Sequence, residues 1–463
     1  MTGRSSTTHP ILSYQENRTL DDVPGYTAGL QLRLSDGRRV YLARSSTELA
    51  VYLGSDLALH YDLEGRLTKI ATPHEYRRRS LSHRILQTRK LAAEDGGGIV
   101  RAVLPAEAAD AVVSEAHKQM HIIHGQLRSG MAQPDPAQSG IEFAKPASDE
   151  ARDKIGPILE RAAAFNVDAA REDARRFRHV YGQVAVLPPD QYNALVLQAT
   201  EGCAYGHCLF CELYHAVPYH RKTAQQFREH VRTAIAYHGE ALRARRSIFL
   251  GEANALTLPQ AELVEIFHVL HEHFELPSDE QQDVSAHWWI GSATRFDGVS
   301  SFQDAFMEPH RSVAEFAELR RLGLRRVYVG LESGHDPLLR WLRKPATAAT
   351  ILRTVQTLKE AMIAVGVIAL LGAGGHQFGA AHVQGTVQLL NELPLGRGDY
   401  VYFSPLEVFP CGSYAVHETA HGIRRLTETE MRGQEQAIRT ALRFDSARGK
   451  PYIARYEVET FVY

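Results

Sequence analysis

ALVLQATEGCAYGHCLFCELY, residues 194–214, decides how the rest of the chain is read. Its first seven residues form an apolar run of strand length, the pattern of a strand buried on both faces of a parallel sheet. The run leads straight into Cys203, Cys208 and Cys211, which places all three thiols in the loop at that strand's C-terminal end. In α/β barrels this end carries the chemistry. Cysteine thiolates are the usual ligands of 4Fe-4S clusters, and three of them leave one iron open. Cysteines at short spacing are also a zinc pattern, for which His207, His215 or His220 offers a fourth ligand. Local spacing by itself leaves both metals open.

Downstream, short apolar runs alternate with long amphipathic stretches. The runs are SIFLGEA from Ser247, HWWIGSA from His287, RVYVGLE from Arg326, GVIALLGAG from Gly366 and YVYFSPLEVF from Tyr400. With the first run they make six strand–helix units, which predict a parallel sheet with right-handed crossovers and the α/β class, as a partial TIM-like (β/α)6 barrel. Beyond it TETEMRGQEQAIRTALRF reads as a helix and PYIARYEVETFVY as a closing strand.

Upstream the character changes. LQLRLSDGRRVYLAR and LALHYDLEGRLTKIAT read as β-hairpins turning at Asp36-Gly37 and Glu64-Gly65. PAEAADAVVSEAHKQMHIIHGQL has apolar positions at helical spacing after Pro105, and GMAQPDPAQSG is the best linker candidate. DEARDKIGPILERAAAF and DAAREDARRFRHVYG are charged helices leading into the barrel. The expected division is an N-terminal β-rich accessory domain over residues 1–100, a helical segment and linker over 101–186, the barrel over 187–415, and a C-terminal helix and strand over 416–463.

Composition sets the outer bounds. A length of 463 residues exceeds what one hydrophobic core usually fills, and 44% hydrophobic with 23% charged residues is ordinary for a globular protein. The 52 basic and 54 acidic side chains nearly cancel, which gives no global attraction to nucleic acid or to an acidic membrane surface. No apolar run has the length of a membrane span, and the polar start lacks a signal peptide's apolar stretch, so a cytoplasmic location is expected. Four cysteines in a protein of this length make no disulfide scaffold.

From Leu187 to Gly412 the sequence resembles the radical S-adenosylmethionine (radical SAM) superfamily. The lead-in LPPDQY and the cysteine loop carry the resemblance, joined by SIFLGEANALTLPQAEL, HWWIGSATRFDG, VGLESGHDPLLRWLRKPAT and LLGAGG. One departure is plain: the cysteine spacing is four residues and then two, where the superfamily's commonest is three and then two. The resemblance implies that Cys203, Cys208 and Cys211 hold a 4Fe-4S cluster whose open iron is chelated by S-adenosylmethionine, and that reductive cleavage yields a 5'-deoxyadenosyl radical.

It also nominates cofactor contacts. Gly251 and Glu252 fall at the methionine end, Ser292 and Arg295 near the ribose and carboxylate, Glu332 at a polar contact, Lys344 at a cation near the carboxylate, and Gly372 and Phe210 beside the adenine. Singly, each is commonplace: a Gly-Glu pair ends many strands, Glu332 is placed to cap a helix, and Lys344 to end one. Their order along the sequence is what a zinc ribbon has no reason to supply. Cys411 in FPCGSY is a candidate hydrogen donor or ligand, although a lone cysteine is more often simply packed. The implied partners are a small-molecule substrate and an electron donor such as flavodoxin or ferredoxin. Radical modification of transfer RNA or of a peptide, and a non-enzymatic zinc scaffold, are the competing readings.

Overall fold

The computed structural model describes residues 27–91, 98–135, 149–215, 217–277, 293–307, 310–458 and 461–463. The N-terminal part is an antiparallel meander: β1 (Ala28–Arg33), β2 (Arg39–Arg44), β3 (Glu48–Leu53), β4 (Leu57–Asp62), β5 (Leu67–Ala71), β6 (Glu75–Arg79), β7 (Ile85–Lys90) and β8 (Ile99–Val103) pair in sequence. Both expected hairpins form, with β1 against β2 and β4 against β5, and Gly37 and Gly65 take the positive φ that tight hairpin turns demand. After α1 (Ala106–Arg128), the short β9 (Gln133–Pro134) pairs with β1, completing nine strands. Helix α1 and helix α2 (Asp149–Ala164) bury Val113, Met120, Ile155 and Leu159 against Leu32, Leu42, Leu49 and Leu59, one apolar face of the sheet meeting two helical stripes. The expected linker runs partly outside the described residues.

Helix α3 (Val167–Tyr181), capped by the Asn166 side chain, leads to the second sheet. Its elements run β10 (Ala194–Gln198), a two-stranded ribbon of β11 (Thr200–Glu201) and β12 (His220–Arg221), α4 (Ala224–His238), β13 (Ser247–Gly251), α5 (Gln260–His273), β14 (Val299–Gln303), α6 (Val313–Arg321) and β15 (Leu324–Glu332). Then follow α7 (Asp336–Trp341), α8 (Ala348–Glu360), β16 (Ala364–Leu371), α9 (Gly375–Glu392), β17 (Tyr400–Pro405), α10 (Ser413–Ala420), α11 (Glu428–Ala441) and β18 (Tyr452–Arg455). Strands β10, β13, β14, β15, β16, β17 and β18 form one seven-stranded, all-parallel sheet in sequence order. A parallel sheet with helices between its strands is the partial TIM-like barrel expected, with β18 as the expected closing strand.

One strand differs from expectation. HWWIGSA lies outside the described residues but for Ala293, and the third strand is β14, VSSFQ. Ser300, Ser301 and Gln303 are buried there, and the Ser301 hydroxyl donates to the Leu250 carbonyl at 2.7 Å. Polar residues buried inside a barrel leave no apolar run to read.

The two halves are tied by buried ion pairs. Arg66 pairs with Asp62 at 2.7 Å and with Asp173 at 3.5 Å, and Arg79 reaches Asp173 at 3.1 Å; all these side chains are nearly inaccessible. The guanidinium of Arg66 also donates to the carbonyls of Tyr237 and His238 in the barrel's α4. On the barrel's open side, the Tyr463 hydroxyl accepts from the Val196 N–H and donates to the Ala194 carbonyl, each at 3.1 Å. It thereby occupies the free edge of β10, and the Tyr463 carbonyl accepts from the Leu81 N–H, in the turn between β6 and β7, at 2.6 Å. No helix among the described residues is long and apolar enough to cross a membrane.

Candidate functional site

At the C-terminal ends of the parallel strands lies a cavity of about 250 Å³. Cys203, Cys208 and Cys211 line it together, followed around the wall by Asn254 after β13, Asp304 after β14, Glu332 ending β15, Leu370 in β16, Ser404 in β17 and Tyr456 after β18.

The cysteine loop is fixed by its neighbours rather than by regular structure. Gly202, with φ +68°, turns the backbone off β10 where a Cβ would run into the Val217 carbonyl at 2.6 Å. The Leu209 N–H donates to the Leu342 carbonyl at 3.0 Å, and the Tyr205 hydroxyl to the Arg343 carbonyl at 2.7 Å, which binds the loop to the turn after α7. The Gly206 N–H points at the Cys203 sulfur, 3.3 Å away. Burial pushes the Cys208 thiol up to about 12, against the pull of Lys344, and the Cys211 thiol up to about 11.

Opposite the thiols, the buried Lys344 donates to Glu332 Oε1 and to the Gly330 carbonyl, both at 2.9 Å. Burial on its own would lower the lysine's pKa; the facing Glu332, Cys208 and Asp304 outweigh it and raise it, so the cation is held in place. Glu332 sits at φ +55°, a conformation that costs a non-glycine residue energy and recurs at functional sites. Phe210 lines the same wall, with the Lys344 ammonium 6.0 Å from its ring centre.

The other nominated residues are placed differently. Gly251 and Glu252 end β13, but the buried Glu252 carboxyl turns to the Gln198 side chain and the Ala185 backbone, off the cavity lining; burial raises its pKa to about 7. The lining residues of that loop are Ala253 and Asn254. Arg295 is half exposed, pairs with Glu275, and precedes β14, so it lies at the opposite end of the strand from the cavity. This corrects its placement, because the strand begins after it. Ser292 lies outside the described residues.

Gly372, φ +82°, is packed under α11, where a Cβ would meet Met431 Sδ at 2.7 Å; its N–H donates to Gln434 at 2.8 Å, away from the cavity lining. Cys411 is exposed and off the lining, in the loop that abuts Glu212 through the Ser413 N–H at 2.7 Å.

Sequence reading missed Asn254 and Asp304. Asn254 donates to Asp304 and directs its amide toward Cys203 Sγ at 4.0 Å, while Asp304 Oδ1 and Gln303 Oε1 are buried without a partner. Burial lifts the Asp304 carboxyl to about 6. The one available signal was the acid at the end of the polar run VSSFQD.

The donor set can be tested against a metal or cofactor. A structural zinc ion takes four ligands at about 2.0–2.3 Å. Among the described residues no group of three His, Cys, Asp or Glu side chains converges to hold a single ion. Three soft thiols lining one cavity, with the unpaired oxygens of Asp304 and Gln303 in the same lining, fit a three-cysteine iron-sulfur cluster beside a polar ligand.

Residues 197–380 match the Radical SAM superfamily. No curated protein matches the sequence significantly. Among solved structures, the cobalamin-dependent S-adenosylmethionine radical enzyme OxsB is similar at 13% identity over 54% of this protein and 31% of that one, with a TM-score of 0.33. Coproporphyrinogen III oxidase from Escherichia coli is similar at 12% identity over 52% and 50%, TM-score 0.35, and methylornithine synthase at 12% over 67% and 78%, TM-score 0.36. The match spans about a third of the length of OxsB. Proteins of the matched superfamily use a 4Fe-4S cluster and S-adenosylmethionine, and need an electron donor and a substrate. The stretch from the end of β10 to the start of α9, residues 197–380, is a radical SAM domain.

Proposed function

We propose that this protein is a radical SAM enzyme in which Cys203, Cys208 and Cys211 hold a 4Fe-4S cluster and the remaining cavity binds S-adenosylmethionine together with a small-molecule substrate. The observation that carries the reading is the meeting of the three cysteines with the Glu332–Lys344 pair in one cavity at the C-terminal edge of the sheet. When bound, the cluster and S-adenosylmethionine supply a carbon-centred radical that abstracts a hydrogen atom. Everything else falls to the protein's own residues.

Lys344, fixed by Glu332, presents a buried cation to a carboxylate. Asn254 and Asp304 offer an amide and an unpaired carboxyl oxygen to hydroxyl or ammonium groups. Phe210, Phe302, Ile368 and Leu370 supply apolar wall and exclude water from the reacting centre. A cavity of about 250 Å³, walled on one side by Tyr456 and Val458 of the tail after β18, suits a small molecule better than a nucleic acid or a folded partner. The electron comes from a low-potential donor such as flavodoxin or ferredoxin.

The test is anaerobic reconstitution followed by dithionite reduction with S-adenosylmethionine, measuring 5'-deoxyadenosine. The parent protein should release it and carry stoichiometric iron and sulfide; Cys203→Ala should lose both, with the rate down by about two orders of magnitude or more. Stoichiometric zinc in place of iron, or product that survives Cys203→Ala, would overturn the assignment.

A further inference from the structure

Tyr456 follows β18, is 3% exposed, and lines the cavity, yet its hydroxyl has no hydrogen-bond partner. Phenylalanine would fill the same space without burying an unpaired hydroxyl, a burial that costs stability. From Tyr456 a file of tyrosines runs down the barrel wall. Its ring centre is 5.8 Å from that of Tyr402; Tyr402 stacks on Tyr400 at 5.4 Å, with the planes 6° apart; Tyr400 stacks on Tyr452 of the neighbouring strand at 5.2 Å. Tyr400 and Tyr452 are register partners, so the parallel pairing of β17 and β18 builds the last step. Tyr452 is 60% exposed. Midway, the Tyr402 hydroxyl donates to Asp190 Oδ1 at 2.7 Å, a carboxylate placed to take a phenolic proton. The file therefore joins the cavity to solvent at the far end of the barrel by ring contacts alone.

We propose that Tyr456 donates a hydrogen atom to carbon radicals in the cavity, and that Tyr402, Tyr400 and Tyr452 return an electron to it from the surface. The proposal rests on the radical reading given above. In the first step the Tyr456 O–H bond breaks homolytically and a C–H bond forms, leaving a neutral tyrosyl radical; the phenolic O–H is weaker than an alkyl C–H, so the transfer runs downhill. In the second step the tyrosyl takes up one electron through the stacked rings and one proton from water, which restores the phenol. The electron comes from the same class of low-potential one-electron reductant that drives the cluster. When Tyr402 is transiently oxidised, its proton moves to Asp190 and returns.

Such a device ends each radical event with the protein intact. It also leaves an isotopic mark, because a phenolic hydrogen exchanges with solvent and a carbon-bound hydrogen of an amino-acid residue does not.

The experiment uses reconstituted holoenzyme, dithionite and S-adenosylmethionine in D2O with no substrate added. Two quantities are read: the deuterium content of 5'-deoxyadenosine by mass spectrometry, and the freeze-quenched electron paramagnetic resonance spectrum with and without ring-deuterated tyrosine. The parent protein should place one solvent deuterium in most of the 5'-deoxyadenosine and show an organic radical whose signal narrows on tyrosine deuteration. Tyr456→Phe should still cleave S-adenosylmethionine, with deuterium incorporation down about tenfold and the tyrosyl signal gone. Its melting midpoint should hold or rise, since an unpaired hydroxyl is removed. Tyr402→Phe should keep the deuterium and lengthen the radical's life.

Deuterium-free product from the parent protein, or incorporation unchanged in Tyr456→Phe, would overturn the donor role. A parent protein that forms no 5'-deoxyadenosine at all would overturn the radical reading itself, and this proposal with it.

Discussion

Lys344 and Glu332 lie twelve residues apart in sequence and meet at 2.9 Å in a site where both side chains are under one-tenth exposed. A buried pair of this kind is costly to break, because the survivor keeps its charge without its partner. Lys344→Met should therefore lower stability by about 3–5 kcal/mol, and adding Glu332→Gln should recover most of it. Urea unfolding measures both, and a single variant with an unmoved midpoint would mean that the pair contributes nothing to the fold. The sequence singled out both residues, because GLESG and a basic residue a dozen positions on form a pattern, but as separate cofactor contacts; their pairing appears only in the fold. Asn254 and Asp304 were not singled out, since each matters only through the fold: Asn254 by its reach toward Cys203, Asp304 by the burial that strands one of its oxygens. Arg295 shows the converse, a residue in the right motif but at the wrong end of its strand.

Between Lys344 and the next helix the backbone turns at Thr347, whose hydroxyl accepts from the Thr350 N–H while Thr350 reaches back to the Thr347 N–H. This capping box sets where α8 begins, and with it the length of the turn that holds Lys344. Thr347→Ala should cost about 1 kcal/mol by thermal or denaturant unfolding. A cost near zero would mean that α8 is positioned by packing alone. The strands divide by what they bury. ALVLQ, SIFLG, AVGVIALL and YVYFSP are apolar on both faces and announce themselves, as does the closing strand by its aromatic and β-branched residues. VSSFQ hides, because its buried Ser301 is held to the neighbouring strand by a hydrogen bond rather than by apolar contact. The hairpins were legible from their Asp-Gly and Glu-Gly turns; that α1 and α2 would cover one face of their sheet was not, because no local pattern says which face of a meander a distant helix will take.

At the scale of the whole molecule, and among its described residues, three buried histidines are held in the neutral form at places where elements join. The Gln198 N–H donates to His230, His238 meets the Tyr181 hydroxyl at 3.0 Å, and His382 meets the Ser333 hydroxyl at 2.8 Å. Burial lowers His230 to about 3 and His382 to about 4, and pulls His238 well down. The unfolded state, with ordinary histidines near 6.5, binds protons first as the pH falls, so these groups cost no stability above about pH 7 and increasing amounts from about 6.5 toward 4. Each contributes up to about 1.4 kcal/mol of lost stability per pH unit within that window. Melting midpoints taken from pH 7.5 to 5 should fall, and His382→Gln should flatten part of the slope; a midpoint constant over that range would contradict the neutral burial.

The hydroxyl of Tyr463 on the edge of β10 has a consequence in time. The strand and the residue that completes its edge are 267 positions apart, and at ribosomal speeds of about 5–20 residues per second β10 waits on the order of 10–50 s for that partner. Throughout that interval the cysteine loop already exists while the wall beside it is still unbuilt.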